Sequence, residues 1–326
     1  MPCKIEIEEK DWPLRKPFKI SRNEHTYAET LVCRISDGTH TGSGEAAGVS
    51  YKGETIASIR KQIESVMPQI AEGIGRDELQ KVMGPGGARN AVDCALWDLE
   101  AKQSGQTVWQ MLGWQPHAVT TVYTVGIDKP ENMRRDAEAH ADFPILKVKV
   151  GIGDPIEQIT AIRDGSPACA IVIDANQAWT VDDLERYALD LKALNVEMVE
   201  QPLSATDDES LREYDAPIPL CADESCGTRA DLDRLVGLYD IVNIKLDKTG
   251  GLTEAVALAG QAESMGFGLM VGNMLGSSLA MAPAFVIAQR CRYVDIDGPL
   301  LQAEDCEHPL VYERGKVEPF SPRLWG

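Results

Sequence analysis

The sequence predicts an α/β protein: a parallel barrel with a smaller α+β unit beside it. Two observations predict this. After about residue 118, eight short apolar runs alternate with helix-length segments, the pattern of parallel strands joined by crossover helices. A polar or charged residue stands at or near the end of each run, and from Lys149 onward these residues recur every 22 to 28 positions, about one strand–helix unit.

Taken in order, residues 1 to about 50 read as short strands joined by polar turns: "KIEIEEKDWPL", "ETLVCRISDG" and "THTGSGEAAG". Helical patterning follows from Thr55 to Met67 and from Ala88 to Lys102, where Ala91, Val92, Ala95, Leu96 and Leu99 fall at helix spacing after the breaker "GPGG". The eight runs are "TVYTVG", "ILKVKV", "AIVIDAN", "VEMVEQP", "PLCADES", "DIVNIKLD", "FGLMVGN" and "YVDIDGP". The chain before Thr120 and the tail after about Gln302 are then expected to form the second unit, sharing an interface with the barrel because no low-complexity linker intervenes.

Composition narrows the function. With 51 acidic against 32 basic residues the net charge is −19, which repels nucleic acid and anionic membranes and leaves small molecules as the expected partners. No apolar run approaches the ~20 residues needed to span a bilayer, and no basic region followed by an apolar stretch opens the chain, so a cytoplasmic location is expected. The eight cysteines are scattered without a CxxC pair and read mostly as reduced core thiols. Oligomeric state, including a homo-oligomer, is left open.

The strand-end residues are Thr124, Lys147 with Lys149, Asp174, Glu200, Asp223, Lys245, Asn273, and Asp295 with Asp297. In a parallel barrel these ends converge on one mouth. Lys147 and Lys149 are two apart and so face the same way, toward that mouth, with Leu146 and Val148 on the other face. Asp174, Glu200 and Asp223 come from consecutive strands and repel one another unless a cation sits between them; hard oxygen ligands of this kind suit Mg²⁺. The plainer reading is that each acid pairs with a lysine or caps the following helix.

Lys149 and Lys245 fall on the second and sixth runs, across the mouth from each other, so a substrate between them meets one lysine on each face of its carbon. One lysine removes an α-proton and the other returns one from the opposite side, inverting the stereocentre. Lys147 beside Lys149 is expected to lower the pKa of its neighbour by like charge. A cation would stabilise the enediolate formed when a carboxylate substrate loses that proton.

At these residues the sequence resembles the enolase superfamily, and within it the muconate-lactonising subgroup, through "KVKV", "VIDANQAW", "VEQPL", "CADES", "NIKLDKTGG" and the helix "ARNAVDCALWDLEAK". The use of a Lys base with Mg²⁺ in that superfamily is a known pattern of pKa tuning. The resemblance implies a (β/α)7β TIM-like barrel, residues 118–301. It also implies an α+β capping domain formed by residues 1–117 together with the tail 302–326. It further implies Asp174, Glu200 and Asp223 as Mg²⁺ ligands, Lys149 and Lys245 as the acid/base pair, and Lys147 as partner of the substrate carboxylate. Thr124 is carried with the substrate-binding residues.

The pair Asp295 and Asp297 resembles the feature by which dipeptide epimerases hold the free α-ammonium of their substrates; the alternative is that Asp297 is a turn acid before Gly298 and Pro299. "FKISRN" and "NIKLDKTGGLTEA" look close to the bacterial L-Ala-D/L-Glu epimerases of murein peptide recycling. The loop "SRNEHTYAE" offers Arg22, but by offset from "PFKI" the position that meets the substrate's side-chain carboxylate falls at His25, which relaxes or shifts a preference for Glu. The expected function is therefore Mg²⁺-dependent epimerisation of Ala-Glu-like dipeptides at the C-terminal residue. The alternatives are o-succinylbenzoate synthase or N-acylamino acid racemase activity, a Schiff-base lyase, and a barrel that binds without catalysis.

Overall fold

Strands and helices alternate through most of the chain as the sequence periods require. The computed structural model describes residues 2–19 and 24–326. The N-terminal part opens with a three-stranded antiparallel sheet, β1 (Lys4–Lys19), β2 (Glu24–Ser36) and β3 (Thr41–Ala46), in the order β1-β2-β3. β1 is longer than its sequence run, because the chain continues past Pro13 through an irregularity and re-pairs Phe18 with His25. Helices α1 (Ile56–Ala71), α2 (Arg76–Val82), α3 (Gly87–Ser104) and α4 (Val108–Leu112) follow. α1 starts where Thr55 and Ser58 form a capping box, and it runs past the expected Met67 through Pro68. α3 lies directly on β3: a Cβ on Gly42 would meet Ala95 O at 2.1 Å, so only glycine permits that approach.

The second sheet has eight strands in sequence order: β5 (Tyr123–Val125), β6 (Ile145–Lys149), β7 (Ala170–Asp174), β8 (Val196–Glu200), β9 (Leu220–Ala222), β10 (Ile241–Lys245), β11 (Gly268–Gly272) and β12 (Tyr293–Val294). Each of the eight apolar runs became one of these strands, and every neighbouring pair is parallel. The sheet curls until its edges meet, where Val122 N–H donates to Val294 O at 2.8 Å. Between the strands lie α5 (Pro130–Ala139), α6 (Ile156–Gly165), α7 (Val181–Ala193), the short α8 (Leu232–Leu235), α9 (Leu246–Thr249), α10 (Leu252–Ser264) and α11 (Ser278–Ala288). The connection from β8 to β9 departs from expectation: it carries a 3₁₀ turn at Asp208–Leu211 and no α-helix. Beyond β12 come α12 (Gly298–Leu301), β13 (Tyr312–Glu313) and β14 (Lys316–Val317), and β14 pairs with β4 (Val119–Thr120).

Strand alternation sorts the side chains into layers. Val172, Met198, Cys221, Ile241, Met270 and Tyr293 form an apolar cluster of their own with Val122. Two residues further along the same strands, on the same face, stand Asp174, Glu200, Asp223, Asn243, Gly272 and Asp295. The intervening Ile173, Val199, Ala222, Val242 and Val271 join the large core shared with the helices. The barrel interior is thus oily at one end and polar at the other. Among the described residues no helix is long and apolar enough to cross a membrane. All eight cysteines are free, five of them buried.

Candidate active site

The polar layer is a buried charge cluster. Asp174, Glu200 and Asp223 each offer a carboxylate oxygen, and these lie within 4.8 Å of one another. The first two sit side by side in register on β7 and β8, and Asp223 follows β9. Lys147 is 1 % exposed and lies 3.1 Å from Asp174, 2.7 Å from Glu200 and 2.8 Å from Asp295. Lys149 Nζ donates to Asp174 Oδ2 at 2.6 Å, and Lys245 Nζ donates to Asp223 Oδ2 at 2.7 Å. β6 and β10 are four strands apart in a closed sheet of eight, so the two lysines stand on opposite sides of the mouth with the acids between them.

The backbone around the site explains why the acids stay in place. Gln201 is fully buried, and its Oε1 accepts the Asp223 and Ser225 N–H groups at 2.8 and 3.0 Å. Its Nε2 donates to Leu203 O, Ser225 Oγ and Tyr239 OH. Asp208, on the 3₁₀ turn that replaces a helix, accepts from Ser225, Tyr239 and Arg234. A buried polar network therefore ties the β8 end to the β9 end. Asn243 Nδ2 donates to Glu200 Oε1 at 2.7 Å, and Lys248 Nζ donates to Asp223 Oδ1 at 2.6 Å. Gly272 leaves room for this: a Cβ there would lie 2.7 Å from Asn243 Oδ1 and 2.9 Å from Lys245 Cε. The N-terminal part grips the same strand end, with Gly48 N–H on Asp247 Oδ1 at 2.8 Å and Arg89 on the Thr249 and Gly250 carbonyls.

Electrostatics divide the acids. Burial opposes ionisation of Asp174, yet Lys149 and Lys147 hold its carboxyl at about 2. Asp223 is likewise buried but held well below the usual range by Lys245 and Lys248. Burial and then the Asp174 charge push Glu200 up to about 7. The Lys245 pKa is set by its carboxylate neighbours. Burial would lower it, but Asp223 and Glu200 outweigh both burial and Lys147 and raise it above the usual lysine value. Carboxylates in direct contact dominate over a more distant ammonium.

The residues fit a divalent cation. Lys147 Nζ approaches Glu200 Oε2 to 2.7 Å but is not aligned as a hydrogen-bond donor to it, so this fully buried oxygen has no hydrogen bond. A carboxylate oxygen left that way is costly unless something else coordinates it. The donor set is all oxygen and converges from three strands, which suits Mg²⁺.

Asp295 and Asp297 are both buried. Asp295 accepts from Lys147 and, at 2.9 Å, from Asn273 Nδ2, while Asp297 Oδ2 accepts the Thr124 N–H at 2.7 Å. Burial and then the Asp295 charge push Asp297 up to about 8, so the pair does not carry the two full charges that spacing alone implies. Thr124 is placed beside Lys147 in the β5–β6 register. Lys147 is spent on three carboxylates in this arrangement rather than facing the mouth as a free cation. His25 is half-buried at the start of β2, opposite Phe18, and Arg22 lies outside the described residues. The β1–β2 hairpin reaches the mouth, since Ile127 N–H, just after β5, donates to Lys19 O.

Sequence reasoning missed Lys248, Asn243, Gln201 and Asp208. Two of them had a readable signal: Lys248 is a second lysine one helical turn after Lys245 in "KLDK", and Asn243 is a polar residue inside the apolar run "DIVNIKLD".

A closed parallel barrel with strand-end carboxylates and facing lysines, covered by an N-terminal α+β part, defines a class. The chain belongs to the mandelate racemase / muconate lactonizing enzyme family of the enolase superfamily. Residues 3–113 match its N-terminal domain, and residues 131–322 match the enolase C-terminal domain-like family. Among individual relatives, the N-acetyl-D-glutamate racemase of a Pseudoalteromonas species is 44% identical over 91% of this chain and 95% of its own length. The L-Ala-D/L-Glu epimerase of Escherichia coli is 42% identical over 96% of this chain and 98% of its own. A crystal structure from Agrobacterium tumefaciens, described as an enolase family member with homology to dipeptide epimerases and holding sodium and L-Ala-L-Glu, is 44% identical. It superposes with a TM-score of 0.98 over all of both chains. The dipeptide epimerase of Enterococcus faecalis, complexed with Mg and L-Leu-L-Tyr, gives a TM-score of 0.91 at 28% identity over 98% of this chain and 97% of its own.

Proposed function

We propose that this chain is a Mg²⁺-dependent dipeptide epimerase that inverts the α-carbon of the C-terminal residue of Ala-Glu-like dipeptides. The observation that carries the reading is the placement of Lys149 and Lys245 on opposite sides of the Asp174–Glu200–Asp223 triad. In this reading the triad holds the cation, whose charge offsets the extra negative charge of a deprotonated carboxylate substrate. Lys149 and Lys245 each serve one face of the α-carbon, one taking its proton and the other delivering a proton from the opposite side. Lys147 contributes positive charge next to the substrate carboxylate. Asp295, Asp297 and Thr124 line the end that receives the substrate's amino group, and Arg22 or His25 meets its side chain.

We take residues 1–117 and the tail 302–326 as one capping unit over the barrel 118–301. The contact of the hairpin at Lys19 with Ile127 supports this, as does Trp325 Nε1 donating to Cys94 O at 3.1 Å. Eight free thiols suit a reducing cytoplasm. A role in murein peptide recycling follows from the Ala-Glu preference. The test is proton NMR in D₂O with Mg²⁺ and L-Ala-L-Glu. Exchange of the C-terminal α-proton with appearance of the other diastereomer is expected; no exchange with any of a panel of L-Xaa-L-Xaa dipeptides rejects the function.

A second reading, racemisation of an N-acylated glutamate, is favoured by one observation. Asp295 and Asp297 are already engaged by Lys147, Asn273 and the Thr124 N–H, so the pocket does not demand a cationic amino group. N-acetyl-glutamate belongs in the same NMR panel, and faster exchange there than with Ala-Glu selects this reading.

A further inference from the structure

Lys248 is among the largest fully buried side chains in the protein, yet no step of the reaction uses it. It stands on the short α9, three residues after Lys245, and its side chain is 0 % exposed. Its Nζ donates to three oxygens: Asp223 Oδ1 at 2.6 Å, Asn243 O at 2.9 Å, and Asp223 O. An ammonium has three donors, so all are committed. Two of the three acceptors are main-chain carbonyls, one just past the end of β9 and one midway along β10. Lys245 differs: it is held on Asp223 by the other carboxylate oxygen, Oδ2, through a side-chain contact alone.

We infer that Lys248 is a positioning residue for the cation, one that ties down Asp223 Oδ1 and so turns Oδ2, and only Oδ2, toward the other two carboxylates. The inference rests on the reading of the triad as a metal site. Lys245 gives up Oδ2 without disturbing the backbone, whereas Lys248 remains anchored to the main chain after β9 and within β10. The same lysine links Asp223 to Asn243 O, and Asn243 in turn orients Glu200 through Nδ2, so two of the three ligands share one brace. Outer groups that orient metal ligands are typically worth about 10–100-fold in metal affinity.

The sign of the effect separates positioning from charge. Removing a buried positive charge beside a cation site tightens binding by Coulomb's law if charge is all the lysine contributes. Removing a brace weakens it. The experiment is an EPR titration of the metal-free protein with Mn²⁺, without substrate, on the wild type and Lys248→Met. The expected result is a Kd raised by about tenfold or more. An unchanged or lowered Kd overturns the role. If Lys248→Met does not fold, Lys248→Gln carries the same test. Its shorter, neutral side chain cannot reach all three acceptors, so Mn²⁺ binding must still weaken, and unchanged or tighter binding overturns the inference. Absence of Mn²⁺ binding to the wild type overturns the metal reading and this role with it, whereas normal wild-type binding with unaffected variants overturns the role of Lys248 alone.

Discussion

Lys149 is hydrogen-bonded to Asp174 at 2.6 Å across adjacent strands, so the lysine we propose as an acid/base rests on a carboxylate we propose as a cation ligand. Lys245 repeats the arrangement on Asp223. In the proposed reaction, acid/base chemistry and cation binding therefore compete for the same oxygens. Lys149→Ala and Lys245→Ala are each expected to lose epimerisation by about 10²–10⁴-fold, the usual worth of a positioned acid or base. One variant should still wash out the α-proton of a single diastereomer in D₂O. If both variants epimerise at the wild-type rate, the two-base mechanism is wrong.

Cation binding should depend on pH through Glu200. Burial and the Asp174 charge hold its pKa at about 7 in the cation-free site, and a ligand carboxylate must be ionised. Above about pH 7 the Mn²⁺ affinity is then level, and below it the affinity falls by about tenfold per pH unit, with one proton released on binding. Calorimetry in buffers of different ionisation enthalpy counts that proton. A pH-independent Kd between 5 and 7 would contradict the assignment.

Gly272 sits in register with Lys245 on the neighbouring strand and has no Cβ to crowd it. Gly272→Ala places a methyl group 2.9 Å from Lys245 Cε, and the lysine has to move by several tenths of an ångström or more. Misplacement of a reacting group on that scale costs up to about 10²-fold. The expectation is a lowered kcat with a cooperative thermal transition retained; unchanged kcat would mean that Lys245 has slack.

Gln201 makes five hydrogen bonds with no access to water. Gln201→Leu strands the Asp223 and Ser225 N–H groups, at about 1–3 kcal/mol for each buried group left unpaired. A loss of about 3 kcal/mol or more is expected, about 4 °C or more in Tm for a chain of this length. Calorimetry reads it directly, and a Tm within about 2 °C of the wild type would show that the network is not what holds the strand ends.

The contrast between Lys149 and Gln201 shows what the sequence made legible. A charged residue at the end of an apolar run is visible because strand alternation and strand length fix both its face and its depth, and this located the triad, the lysines and the Asp295–Asp297 pair. Gln201 and Asp208 contact Ser225 and Tyr239, residues 17 to 38 positions away, through a connection that lacks its helix, and no local period encodes such a contact. The ion pairing was illegible for a related reason: spacing places Lys147 beside Lys149, but which carboxylate each ammonium touches is set by closure of the barrel. The lengthening of β1 past Pro13 likewise depends on pairing with β2, a tertiary gain that propensity does not register.

His25 gives the sharpest test of substrate choice. It faces Phe18 across the hairpin, one pair away from Lys19, whose carbonyl accepts the Ile127 N–H at the barrel mouth. An imidazole meets a carboxylate with one hydrogen bond and only partial charge near neutral pH, whereas a guanidinium presents a permanent charge in a two-pronged fork. If the His25 position reads the substrate's side chain, His25→Arg should raise kcat/KM for L-Ala-L-Glu relative to L-Ala-L-Leu by about tenfold, the worth of one charge-assisted hydrogen bond. His25→Leu should move the ratio the other way. A ratio unmoved by either change would take His25 out of the specificity site and leave the side chain to be met from elsewhere on the hairpin.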